Sequence, residues 1–118
     1  MANFINDVHI INPQVASFNG NVDDFLIESS LLRATPSVPM NLSGITMGGN
    51  SVSDGAILFL INASTNPLNV ITLLNESLLS EVQNRIFTPT GLSVAVSSLA
   101  SVRLIYSIVP GRQGWWVA

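Results

Sequence analysis

Most hydrophobic residues of this chain are arranged in runs with the length and period of β-strands. The segment 54–106 opens with a turn signal, Asp54-Gly55, which is followed by the apolar run 56–61 and the polar stop Asn62. This run is too short to span a membrane and has the length of a buried strand. Because it does not alternate, we expect both of its faces to be covered, one by the core and the other by a second sheet or a neighbouring subunit.

The rest of this segment predicts more short strands separated by turns. Val102, Leu104 and Tyr106 alternate with residues of the opposite face, as expected for a half-buried strand. Further strands are predicted at 70–74, 92–96 and 113–118. The polar connection 75–83 has room for one helical turn. Short strands with turns every roughly eight to twelve residues are typical of a sandwich or barrel.

The first forty residues give mixed signals. A short strand is predicted at 8–11, and residues 21–32 fit either a helix with acids in its first turn or an extended strand. Pro36 and Pro39 end this segment. We therefore predict an N-terminal arm or outer strands over residues 1–40 and a β-sandwich module over residues 41–118. The module begins with a half-buried strand that breaks at Gly44.

The composition points to extensive contact with other protein. At 118 residues the chain is one domain, and only 9% of its residues are charged, against about 25% in an ordinary soluble protein. Lysine is absent, while fifteen serines and twelve asparagines supply polarity. A surface with so few charges is poorly protected against association. The alternative is a soluble monomer coated with Ser and Asn.

The charge balance and the N-terminal sequence exclude several classes of partner. A net charge of −3 argues against phosphate-rich nucleic acids and anionic membranes. The first residues contain neither a basic region nor a long apolar region, so no secretion signal is predicted. No apolar run approaches the length of a transmembrane helix.

The sequence contains no recognisable catalytic or metal-binding pattern. The single histidine, His9, lies in an apolar stretch far from any nucleophile motif, and the chain has no cysteine for a zinc site. The Gly48-Gly49 loop lacks the lysine that a phosphate-binding loop needs. The carboxylates do not form a recognisable catalytic pair. We therefore predict no enzymatic activity, no metal and no cofactor.

Three residues are candidates for fixed structural or interface roles. We expect Arg85 to bind the carboxylate of Glu76 or Glu81, or the backbone of its own loop, although a plain surface arginine is the alternative. Trp115 and Trp116 are adjacent, so in a strand they point to opposite faces. One is expected in the core. The other is either a subunit contact or a partly covered residue at a strand end.

The second half of the chain resembles a β module of tailed-bacteriophage virion proteins, found in head-fibre, tail-fibre and capsid decoration proteins. The resemblance lies in short pieces, namely Asp54-Gly55 before the apolar strand, Ile71-Thr72-Leu73, Asn75-Glu76-Ser77, Ser80, Asn84-Arg85-Ile86, Ser101 to Tyr106, and the ending Arg112 to Trp115. It covers roughly the last 65 residues, counted from Asp54. In the family Arg directly precedes Trp, whereas here Gln113 and Gly114 intervene and a second Trp follows.

This resemblance implies a trimeric, jelly-roll-like sandwich without enzymatic activity. Glu76, Arg85, Tyr106, Trp115 and Trp116 are the expected structural or interface residues. The expected role is capsid decoration at the head surface of a virion, with copies of the chain itself and the major capsid protein or other virion proteins as partners. The alternative is a fibre or tail-tip module that recognises a host receptor or glycan. The chain reaches the module within about 40 residues without a shaft repeat, which favours decoration.

Overall fold

Short β-strands make up the regular structure of the computed structural model, which describes residues 12–48 and 54–118. The strands are β1 (Gln14–Phe18), β2 (Phe25–Leu26), β3 (Leu31–Pro36), β4 (Met40–Leu42), β5 (Ile45–Thr46), β6 (Ile57–Asn62), β7 (Ile71–Leu73), β8 (Ile86–Phe87), β9 (Val94–Val96), β10 (Ser101–Ser107) and β11 (Gly114–Val117). A single 3₁₀ turn, Val82–Asn84, lies in the connection where one helical turn was expected. The all-β prediction is confirmed.

A six-stranded sheet, in the order β1-β3-β6-β10-β11-β8, forms one layer of a sandwich-like fold. Its centre is antiparallel, with β10 paired to β6 on one side and to β11 on the other. Its margins are parallel, because β1 pairs with β3, β3 with β6, and β8 with β11. The alternation predicted for β10 is observed, since Leu104 and Tyr106 are buried and Arg103 is exposed.

Two smaller sheets lie against this layer. One joins β4, β7 and β9, and the other joins β2 and β5. Their inward residues meet those of the large sheet in a single core, whose largest fully buried members include Trp115, Tyr106, Leu58, Ile45 and Ile71. Burial of these side chains is the main driving force for folding, at about 25 cal/mol per Å² of apolar surface.

The described part of the N-terminal segment belongs to the same sheets. Of the two interpretations for residues 21–32, extended structure is observed, with β2 and the start of β3 in this range. Phe18 and Leu32 are buried in the core shared with the later strands. The expected strand at 8–11, His9 and Gly49 lie outside the described residues.

One face of the large sheet has no protein layer over it in the described parts of the chain. We call this the outer face; its strand positions are Val15, Ser17, Leu31, Arg33, Thr35, Ile57, Phe59, Ile61, Phe87, Ser101, Arg103, Ile105, Ser107 and Trp116. Ile57 and Phe59 are 44% and 43% exposed, while Leu58 between them is fully buried. One face of this strand meets the core as predicted, but no second sheet covers its other face within residues 12–48 and 54–118; cover by a neighbouring subunit, the alternative, stays a prediction.

The outward side of the β4-β7-β9 sheet lacks the large apolar side chains that the outer face exposes. The outward positions of the β4-β7-β9 sheet are Asn41, Thr72 and Ala95, which are small or polar, while their neighbours are directed into the core. Of these two sheet surfaces, the outer face of the large sheet is the one that exposes large apolar side chains; others are exposed in the connections, among them Leu68, Leu78 and Leu92. No helix in the described residues has the length and apolar character needed to cross a bilayer.

Candidate interaction site

The connection between β7 and β8 is held against the sandwich by a hydrogen-bond network centred on Ser80. The Ser80 hydroxyl accepts a hydrogen bond from the backbone N–H of Asp24 at 3.1 Å and lies 2.6 Å from the hydroxyl of Ser43. Gly44 packs directly on Ser80, where a side chain would have no space. Because Ser43 and Ser80 are both buried, their hydroxyls need these partners.

Asp24 joins the N-terminal segment to the same connection. Its carboxylate accepts hydrogen bonds from the backbone N–H of Glu81 at 3.0 Å and from the amide of Asn84 at 2.9 Å. It adopts a positive φ of 48°, a conformation that Asp tolerates better than most residues. The neighbouring carboxylate of Asp23 accepts a hydrogen bond from Ser43. We refer to Asp23, Asp24 and Glu81 as the acidic rim.

Arg85 is bonded to the backbone of its own loop, one of the partners expected from the sequence. Its Nε donates to the carbonyl oxygen of Ser80 at 3.2 Å, and its backbone bridges to Gly44. Glu76 is instead paired with Arg112, at 3.9 Å between Nη1 and Oε2. Both side chains of this pair are about half exposed, so the pair contributes little to stability. The carboxylate of Glu81 accepts a hydrogen bond from Gln83.

Tyr106 connects β10 to the end of the same loop. Its ring is buried and meets Trp115 edge-on, with centroids 5.2 Å apart. Its hydroxyl donates to the carbonyl oxygen of Gln83 at 2.9 Å and accepts from the amide of Gln113 at 2.9 Å. A buried tyrosine hydroxyl usually finds such a partner. Tyr106 therefore has a structural role here.

The tryptophan pair lies on opposite faces of β11. Trp115 is fully buried, and its indole N–H donates to the carbonyl oxygen of Ile45 at 2.9 Å, which connects the two layers. Trp116 is on the outer face, half-buried and stacked on Phe87 with centroids 5.0 Å apart. The guanidinium of Arg112 lies 5.8 Å from the centroid of the same Phe87 ring. Within the described residues the indole N–H of Trp116 is buried and has no hydrogen-bond partner.

The five candidate residues from the sequence are thus close to one another around β8 and β11. Glu76 and Arg85 line a cleft of about 270 Å³ together with Phe87 and Gln113. Gln113 connects this cleft to the hydroxyl of Tyr106, and Phe87 connects it to Trp116. The cleft therefore opens at the β8 edge of the outer face.

Sequence reasoning did not select the arginines of the outer face. Arg33 and Arg103 are exposed and point outward from β3 and β10. Arg103 is directly paired in register with Phe59 of β6. The sequence gives one indication for Arg103: it falls between Val102 and Leu104 in an alternating strand, so its side chain points away from the side of Leu104. The strand pairing that places it beside Phe59 involves residues far apart in the chain.

The described residues contain no group of three or more side chains suited to hold a metal ion. Comparison with protein families, with curated proteins and with solved structures gives no match for this chain. The physical properties of its surfaces are therefore the basis for the functional proposal below.

Proposed function

We propose that this chain is a non-enzymatic structural protein of a bacteriophage virion. In this proposal it forms a jelly-roll-like homotrimer that decorates the capsid surface and stabilises the head. The observation that supports it best is the exposed apolar outer face of the large sheet. This face is suited to contact with other protein, and the sequence resemblance supplies the virion context.

The size and chemistry of the outer face support a protein–protein contact. Six strands of two to seven residues, spaced about 4.8 Å apart and rising about 3.3 Å per residue, give a surface of several hundred Å². Monomeric proteins seldom expose larger apolar patches without a function, and standard interfaces bury about 800 Å² per partner. Trp116 and Phe59 supply aromatic side chains, which are enriched among the residues that dominate binding energy.

A repeated lattice would make such a contact effective. When one trimer binds several neighbouring capsid subunits, the second and third contacts are intramolecular, so weak individual contacts suffice. A protein that binds the assembled shell and not the free subunits stabilises the shell by mass action. Neither effect requires a charged surface, in agreement with the 9% charged residues of the chain.

The cleft beside β8 favours a second candidate, a fibre or tail-tip module that binds a host receptor or glycan. Its lining combines a carboxylate, a guanidinium and a primary amide in Glu76, Arg85 and Gln113. Such polar groups form hydrogen bonds to sugar hydroxyls. However, Phe87 is only 6% exposed, which leaves little aromatic surface for stacking on a sugar ring.

The test is rebinding of the purified chain to phage heads that lack it because its gene has been deleted. We expect saturable co-sedimentation with heads and a higher temperature for heat-induced DNA release. Phe59→Glu should abolish both effects, because it places a charge on the outer face. Ala95→Glu is the matched control, since it adds the same charge to the exposed side of β9 and should bind normally. Binding to host cells or glycans, without binding to heads, would favour the second candidate.

A further inference from the structure

The few charges of the chain are unevenly distributed. Arg33 and Arg103 both lie on the outer face, and none of the strand positions that form this face is acidic. The acidic rim carries three carboxylates in one region of the surface: Asp23 accepts a hydrogen bond from Ser43, Asp24 accepts one from the backbone N–H of Glu81, and the Glu81 carboxylate accepts one from Gln83. The only ion pair between described residues is that of Arg112 with Glu76, so neither group is neutralised from within these residues.

The two charged surfaces lie on different sides of the molecule. The acidic rim is next to the start of β8, because Gly44 bridges to Arg85 and Ser80 packs on Gly44. Since β8 is the last strand of the large sheet, the rim lies at an edge of the sandwich. The arginines are on the face of the same sheet, with Arg103 two strands and Arg33 four strands away from β8. A single chain therefore has an apolar face with two arginines and an edge where three carboxylates outnumber the one arginine beside them, Arg85.

We infer that the outer face binds the acidic rim of a second copy of this chain, with Arg103 facing Glu81. This inference depends on the self-association stated in the proposed function, but not on the virion location. The contact is heterologous, because the face of one copy meets the edge of the next. Heterologous contacts close into rings when the rotation between copies permits.

Charge complementarity favours this arrangement over a symmetric pairing of two outer faces. In a face-to-face dimer, Arg33 and Arg103 of one copy would approach the same residues of the other without an acidic partner. Like charges brought together at an interface oppose binding, whereas opposite charges favour it and determine register. The heterologous contact places the arginines of the outer face of one copy against the acidic rim of the next.

The test is a charge exchange, measured by sedimentation velocity of the purified full chain over a range of concentrations. The variants are Arg103→Glu, Glu81→Arg and the double variant with both changes. Both side chains are exposed, and the backbone N–H of Glu81 that binds Asp24 is unchanged by the substitution. Ala95→Glu is the control for an added charge outside both surfaces. Near-ultraviolet circular dichroism of the buried Trp115 and Tyr106 reports whether each variant is folded.

Each single change is expected to weaken association by at least about tenfold, and the double variant should restore most of the loss, because opposite charges face each other again. The inference would be overturned if the double variant associated no more strongly than the single variant with the lower affinity. Single variants that associate like the unmodified chain would also overturn it, as would an unmodified chain that stays monomeric. The decoration proposal is tested on phage particles, whereas this experiment uses the purified chain. The decoration proposal can therefore fail while the contact between copies is still confirmed.

Discussion

At the scale of single residues, Gly44 is the position where the structure leaves least room for change. A Cβ added there would meet the hydroxyl of Ser80 and lie 2.7 Å from the carbonyl oxygen of Asn84. The first neighbour belongs to the buried network and the second is backbone, so neither can move freely. Gly44→Ala is therefore expected to lower the free energy of unfolding by about 1–3 kcal/mol.

Urea unfolding at a fixed protein concentration measures this loss. Gly20→Ala is the matched control, because nothing lies within 4 Å of a Cβ at that position. This control should change stability by less than about 0.5 kcal/mol. Equal effects of the two substitutions would contradict the packing described around Ser80.

Asn62 illustrates what the sequence could and could not predict at this scale. The sequence identifies it as the polar stop of an apolar strand, but in the structure its side chain is fully buried. Its side-chain amide donates to the carbonyl oxygens of Asn69 and Val96, and its carbonyl accepts from the backbone N–H of Ser64. The sequence contains twelve asparagines, and no local pattern distinguishes Asn62, whose buried side chain holds a turn by hydrogen bonds, from the others.

The tryptophan pair was more predictable, because adjacent residues in a strand point to opposite faces whatever the partners of that strand. The sequence does not specify which of the two is buried, since that depends on which side of β11 meets the core. The network of Asp24, Ser43 and Ser80 was not predictable, because it joins residues up to 56 positions apart.

At the scale of elements, strand β6 has one face in the core and one face exposed. Leu58 is fully buried, whereas Phe59 is 43% exposed on the outer face. Leu58→Ala is expected to destabilise the fold by about 2–5 kcal/mol through lost burial and the remaining cavity. Phe59→Thr retains a strand-compatible side chain and should cost less than about 1 kcal/mol.

The same two variants separate folding from association. Phe59→Thr is expected to weaken self-association at least about tenfold, because an aromatic side chain is removed from the outer face. Thermal unfolding followed by circular dichroism gives the stability, and sedimentation velocity gives the association. Phe59→Thr that associates as strongly as the unmodified chain would show that the outer face is not the contact surface.

Several elements could be predicted because their signals are local. The apolar run 56–61, the alternation of β10 and the turn residues between strands each act over a few positions. Residues 21–32 remained ambiguous between helix and strand because a short apolar stretch after acidic residues fits both. Pairing with other strands decides the outcome, since β2 pairs with β5 and β3 lies between β1 and β6.

At the scale of the whole molecule, the sheet order depends on contacts between distant residues. Parallel pairing of β3 with β6 and of β8 with β11 has no signature in a short window of sequence. The layered all-β class was nevertheless predictable, because strand length and turn spacing are repeated along the chain. The difference between the apolar outer face and the small or polar outward side of the β4-β7-β9 sheet depends on this strand pairing, so no single strand predicts it.

The decoration proposal depends on how many copies a virion contains and where they are located. Quantitative mass spectrometry of purified particles, with heads and tails separated, measures both. We predict hundreds of copies per particle that remain with the head fraction, as expected when a trimer covers a repeated lattice. A handful of copies that remain with the tails, or none in the particle, would contradict the account.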